Sequence, residues 1–254
     1  MWPIIVIALN TFRENLRDKI LYNLLLFAVL LVGASTVLAD LSITEHYKII
    51  TDMGLAAINL VGVIIAIFVG IGLVSKEIER RTIYTIVARP ISRAQFVVGK
   101  YLGLIITLLV NVTVMLLVYL LTLWIYRAPV HWALLQAVQL IVVELMLVTA
   151  IALFFSTFSS ATLSAIFTVG LYIIGHVTTD LRGLARKSHS EAVQAVANGV
   201  YYLCPNLEVL NMKGQAAVGM AIPVSYQALA TAYGLLYAGM LIAGACLIFR
   251  QRDF

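Results

Sequence analysis

Three stretches of this chain, Ile20 to Ala39, Met53 to Ser75 and Tyr101 to Tyr126, contain no Asp, Glu, Lys or Arg. Each is at least 20 residues long, and a helix of about 20 residues crosses roughly 30 Å of hydrocarbon. Strands of a membrane barrel would alternate polar and apolar residues. These runs are apolar on every side, so they read as helices. Composition agrees, because 62% hydrophobic and 11% charged residues leave too little charge to cover a water-exposed surface.

Beyond Tyr126 the pattern resumes. Ala128 to Thr179 carries one formal charge, Glu144, and is too long for a single crossing. The polar run "STFSS", Ser156 to Ser160, is the expected hairpin. A further helix is expected from Val224, just after Pro223, since proline is tolerated at a helix start. The fold class is therefore an all-α membrane protein forming one domain over 1–254. Its six transmembrane helices are expected at 20–39, 53–75, 101–126, 132–155, 161–178 and 224–249.

Orientation follows from the basic residues. With the amino terminus inside, 11 of the 17 Lys and Arg fall in inner segments, which places both termini in the cytoplasm of a bacterial-type plasma membrane. The formal charge of +5 flanks spans and does not line one soluble face, which argues against nucleic acid as a partner. Cys204 and Cys246 then lie near opposite faces, which argues against a disulfide, and they have no metal-ligand spacing. A cleaved leader ending near "STVLAD" is the alternative for the first span, but the apolar run exceeds a usual signal core.

The leader, 1–19, together with the residue after it places Ile5, Leu9, Phe12, Leu16 and Ile20 at helical spacing, opposite Asn10, Arg13, Glu14, Arg17 and Asp18. This is the pattern of an amphipathic helix lying in the membrane interface, in contact with lipid. Thr11 with Glu14 fits a capping box, as does Ser188 with Glu191.

The densest charge lies in "SKEIERRTIYTIVARPISRAQFVVGK", Ser75 to Lys100, with eight of the 29 charged residues. Ile83, Ile86 and Val87 share one helical face there, behind Glu77, Glu79, Arg80 and Arg81. A helix should stop near Arg89, because Pro90 disfavours helix at the residue before it. Ser92 then caps a new helix, with Gln95 at its third position and Arg93 at its first. Helix, break, helix over 76–100 is more order than a connecting loop needs, although a solvated loop that only sets topology is the simpler reading.

The run "SKEIERRTIYTIVARPISRAQFVVGKYLG" resembles the coupling loop of permease subunits of type-2 ABC (ATP-binding cassette) exporters. The matching positions are Glu79 and Arg80, Pro90, Ser92 and Arg93, and Gly99 and Lys100. The likeness extends along the whole chain. "YYLCPNLEVLN", Tyr201 to Asn211, resembles the subgroup that includes permeases for nitrous-oxide-reductase maturation. The resemblance implies a coupling helix, two separate ABC ATPase subunits, and a second copy of the chain or a close paralogue. It also implies an outer gate within 179–223, carried by Tyr201, Tyr202, Pro205 and Asn206, where a surface-lying helix is the plainer alternative. The one Gly-Lys pair, Gly99-Lys100, is followed by Tyr101, so the chain has no phosphate loop of its own. ATP and Mg would then be bound by the partner, and this chain would hold no cofactor and no metal and would not itself be catalytic.

Glu144 lies near the middle of an apolar helix, where an unpartnered acid costs on the order of 3 kcal/mol. It is expected to face the bundle and to hydrogen-bond Asn111 or Thr113 at similar depth. It is expected in its protonated form, and a polar clamp, a transport or proton role and a lipid-facing position are all open to it. His176 reads as an interfacial residue without an acidic partner. The rival function is a secondary transporter, though internal repeats and several midplane charges are missing. A membrane-embedded enzyme would need HExxH, GxSxG or clustered carboxylates, none of which occurs.

Overall fold

The computed structural model describes residues 2–40, 46–79, 92–188 and 190–251. Among them it contains nine α-helices and no strand. They are α1 (Trp2–Leu16), α2 (Lys19–Asp40), α3 (His46–Glu79), α4 (Arg93–Ile125) and α5 (Trp132–Ser156), then α6 (Ala161–Ala185), α7 (Glu191–Leu203), α8 (Lys213–Ala217) and α9 (Val224–Gln251). A short 3₁₀ turn, Glu208–Leu210, joins α7 to α8.

Five of these, in α3, α4, α5, α6 and α9, are long and apolar enough to cross a membrane. α1 and α2 meet at a bend of 65°. At the bend Tyr22 donates its hydroxyl hydrogen to the Leu16 carbonyl at 2.7 Å, which satisfies one of the acceptors that the end of α1 leaves open. α3 and α4 run well past the charge-free stretches, because Lys48 and Asp52 at one end and Arg93 and Lys100 at the other lie within helix.

α3 and α5 are the most enclosed helices, and α2, α4, α6 and α9 surround them. The outward faces of α6 and α9 expose large apolar side chains, among them Ile166, Ile173, Leu229 and Leu236. A chain dissolved in lipid needs no polar coat there.

α1 packs along the first half of α4 through a face the apolar periodicity does not mark. Its buried residues are Ala8, Thr11 and Asn15, while Ile5 and Leu9 of the expected stripe stay exposed. Small and polar residues suit helix contacts inside a bilayer, where apolar side chains gain nothing from leaving lipid. The Thr11–Glu14 capping box is overturned, since α1 runs unbroken through Thr11. The second box also shifts. α7 is preceded by Ser190 as its N-cap, and the Ser188 hydroxyl instead accepts from the Ser190 N–H at 3.2 Å. The Ser92 box forms as expected, with Gln95 N–H on Ser92 Oγ at 3.2 Å and Ser92 N–H on Gln95 Oε1 at 3.0 Å. Gly214 lies near the start of α8, and the turn out of that helix falls at Gly219 with φ 68°.

Candidate functional site

Three polar clusters stand at different depths. The first is at the base of α4. Ser75 to Glu79, including Glu77, form the last turns of α3; Arg80, Arg81, Ile83, Ile86, Val87, Arg89 and Pro90 lie outside the described residues. Ser92 and Arg93 open α4. The Arg93 guanidinium does not reach away from the chain: its Nη1 donates to the carbonyls of Phe249 at 3.3 Å and Arg250 at 3.1 Å. A cation on the last carbonyls of α9 meets both their open acceptors and the negative end of the helix dipole. Beside it, the Phe96 and Phe249 rings stack at 6.0 Å. Lys100 is nearly buried, with Nζ 3.8 Å from Glu14 of α1 and 5.6 Å above the Phe96 ring. The start of α4 is thus fastened to α1 and α9 together. Arg93→Gln is expected to cost about 1 kcal/mol and to speed amide exchange in the last turn of α9, read by hydrogen–deuterium mass spectrometry; unchanged exchange there would show that Arg93 caps nothing.

The second cluster is centred on Glu144, which has no exposed surface. Its Oε2 accepts from Asn59 Nδ2 of α3 at 2.9 Å, and its Oε1 lies 3.4 Å from His176 Nε2 of α6. Tyr172 donates to Asn59 Oδ1 at 3.4 Å, and His176 Nδ1 lies 3.1 Å from the Tyr172 carbonyl. The expected partners are corrected. Asn111 Nδ2 bonds the Thr107 carbonyl of its own helix, and Thr113, exposed, bonds Leu109. His176 is not merely interfacial but half of a buried acid–imidazole contact. Asn59 and His176 were findable as polar residues in apolar helices; their pairing depends on helix rotation, which periodicity does not supply.

The third cluster holds the outer segment. α7 ends at Leu203, before Pro205. The chain then runs inward, so that Leu207 and Leu210 are fully buried. Leu207 N–H donates to the Gly175 carbonyl at 3.0 Å, and Asn206 N–H to Tyr233 Oη at 2.8 Å. Asn206 Nδ2 reaches Thr179 Oγ1 at 3.1 Å, and Tyr226 donates to the Val209 carbonyl at 2.9 Å. Gly175 permits this approach, since a Cβ there would stand 2.7 Å from the Pro205 carbonyl oxygen. Tyr201 and Tyr202 flank the Arg182 guanidinium, at 4.2 and 5.3 Å from their ring centres, and Tyr202 Oη also accepts from Arg182 at 3.1 Å. Pro205 and Asn206 thus sit in the inward turn, and the two tyrosines on its outer shoulder.

With these positions in hand, the sequence over residues 5–254 matches the family described as ABC-2 family transporter protein. The chain belongs to that family. Comparison with curated proteins gives no match. As an ABC-2 family member it is a multi-pass permease component of an ABC transporter, a family that implies an ATPase subunit as partner.

In this ABC-2 transporter the described site residues do not converge on one pocket. Ser92 and Arg93 lie at one end of the bundle, Glu144 in its middle, and Tyr201 to Asn206 toward the other end. One feature escaped sequence reading. Gln136 Nε2 donates to Gln227 Oε1 at 2.8 Å, Gln227 Nε2 to Gln139 Oε1 at 2.8 Å, and Gln139 Nε2 to Thr231 Oγ1 at 2.9 Å. This chain of amides ties α5 to α9. Its signal was present: Gln136 and Gln139 are three apart, and Gln227 and Thr231 four apart, each pair on one helical face.

Proposed function

We propose that this chain is the permease of an ATP-driven exporter, working as a pair with a second copy or close paralogue above two separate ATPase subunits. It has six spans, both termini in the cytoplasm, and a coupling helix within 76–100 that receives the movement of the ATPase. The carrying observation is the fastening at the base of α4. α3 ends at Glu79 and α4 opens at Ser92, on either side of the charged segment, and α4 is bound there to α1 through Lys100–Glu14 and to α9 through Arg93. A push on that segment would move four helices as one body, the kind of rigid-body gating that transporters use. The inward turn at Pro205, with Tyr201, Tyr202 and Asn206, is the outer gate, and its likeness to nitrous-oxide-reductase maturation permeases supports that subgroup.

The test is purification of the tagged chain from its own membranes, with a cysteine replacing Arg89. An ATPase bearing a phosphate loop should co-purify and crosslink to that cysteine, and the cysteine should react only from the cytoplasmic side. Labelling from the exterior, or crosslinks that never capture an ATPase, would overturn the proposal. The Glu144–His176 contact favours one rival, an ion-coupled transporter; transport driven by an ion gradient with no ATPase bound would select it.

A further inference from the structure

We propose that Glu144 and His176 form a buried proton-binding site that latches the outer Pro205–Leu210 segment onto α6. The inference rests on side-chain geometry within this chain and does not depend on the exporter reading.

Hydrogen bookkeeping on the imidazole comes first. A carbonyl oxygen only accepts, so His176 Nδ1, 3.1 Å from the Tyr172 carbonyl, must carry a hydrogen. Nε2 then faces Glu144 Oε1 at 3.4 Å, and since both atoms are buried with no hydrogen-bond partner among the described residues, one proton between them is the bond the two can make. Placed on either atom, that proton leaves the pair neutral overall: a carboxylic acid donating to imidazole, or an imidazolium donating to a carboxylate. Glu144 Oε2 is already taken by Asn59 Nδ2 at 2.9 Å, which ties the same carboxyl group to α3. One proton therefore holds α6 to α5, and α5 is held to α3.

Either change of proton count breaks the latch. Loss to solvent leaves a fully buried carboxylate whose lone pairs face the Nε2 lone pair. Gain of a second proton puts two N–H and O–H donors against each other and a net positive charge in an apolar bundle. Both are strongly unfavourable away from water, and the cheapest relief is for α6 to draw back from α5 and admit solvent. Among the described residues, the other titratable groups acting on the pair are Tyr172 from α6 and Lys213 at the head of α8; α3 presents the Asn59 amide.

The outer segment is docked on the residue next to the histidine. The Gly175 carbonyl accepts from Leu207 N–H at 3.0 Å, and the Gly175 Cα approaches so closely that a Cβ would meet the Pro205 oxygen at 2.7 Å. No slack separates the latch from the segment. A movement of α6 at His176 passes directly to Leu207 and to Cys204, three residues before it.

Cys204 supplies the probe. In the full-length chain in lipid nanodiscs, Cys246→Ser leaves Cys204 as the one thiol, and its rate of reaction with a charged, membrane-impermeant maleimide reads how far the segment has opened. Burial pushes the Cys204 thiol above its ordinary value, so raw rates rise with pH for that reason alone. Division by the rate of Glu144→Gln at the same pH removes this, because that amide can donate to Nε2 and accept from Asn59 but has no proton to lose. The ratio is expected to be near one at neutral pH and to rise roughly threefold or more toward alkaline pH as a minor open state gains population. His176→Leu is expected to label faster than Glu144→Gln at every pH, with no alkaline rise in the ratio. A ratio that stays at one across the whole range, in the Glu144 protein, would overturn the latch even if His176→Leu proved too unstable to measure; a His176→Leu rate equal to that of Glu144→Gln would overturn it as well.

Discussion

Replacing Gly103 with Leu is expected to prise α1 off α4 and to lower the thermal midpoint of the detergent-solubilised protein by about 10 °C, the shift that roughly 3 kcal/mol produces in a chain of this size. A Cβ at position 103 would stand 2.6 Å from the Ala8 carbonyl oxygen and 2.6 Å from Thr11 Cβ. Four residues earlier, a Cβ on Gly99 would meet Ile7 Cβ at 2.8 Å and the Ile4 carbonyl at 3.1 Å. Backbone atoms cannot swing aside as the end of a long side chain can, so the helices themselves must part. Their separation removes two further contacts, Asn15 Nδ2 to Thr107 Oγ1 at 3.1 Å and Glu14 to the nearly buried Lys100. Lys100 would then keep its burial and lose this carboxylate, which is costlier than never having had the pair. Leu102, 42% exposed between the two glycines, is the control: Leu102→Ala should leave the midpoint almost unchanged. Equal midpoints for Gly103→Leu and Leu102→Ala would mean that α1 is not seated on α4 through these glycines.

The same contact shows where sequence reading succeeded and where it stopped. Long charge-free runs are legible because a helix in hydrocarbon must be apolar over its whole crossing, and α4 and α5 fall where such runs lie. The face that α1 turns to α4 was not legible. Periodicity finds Ile5 and Leu9, which are exposed, while the buried face carries Ala8, Thr11 and Asn15. In a bilayer the contact between helices is written in small and polar residues, not in the strongest apolar stripe. Capping boxes divide in a similar way. Ser92 caps the helix that starts at Arg93, whereas Thr11 has the same residue spacing in the middle of a helix that began at Trp2. Glu144 was recognisable as costly from its depth alone, but its partners lie 85 residues before it and in the next helix after it. Arg93 was picked out by resemblance to a coupling loop, and its bond to the end of α9 became visible only when the two ends of the chain were brought together.

Glu144→Leu is the second substitution with a large expected effect, a loss of about 2 kcal/mol in helix packing measured by steric trapping or detergent titration. Leucine removes an insertion penalty on the order of 3 kcal/mol, which taken alone favours the variant. That gain is made in the packed bundle and in separated, membrane-inserted helices alike, so it cancels from the packing equilibrium. What does not cancel is the loss of two interhelical contacts, to Asn59 and to His176. Such contacts average about 0.6 kcal/mol and reach about 1.7 kcal/mol; two of intermediate strength come to about 2 kcal/mol. The removal also leaves the His176 Nε2 lone pair buried without a donor and the Asn59 Nδ2 group buried without an acceptor, a cost that belongs to the stranded partners. The double variant Glu144→Leu with His176→Leu separates these contributions. Once the imidazole is gone, one stranded group is gone with it, so the double variant should lose less than the two single losses added, by about 1 kcal/mol. Strictly additive losses would mean that the acid and the imidazole, though 3.4 Å apart, do not stabilise one another, and the latch built on their shared proton would have no energy to hold α6 in place.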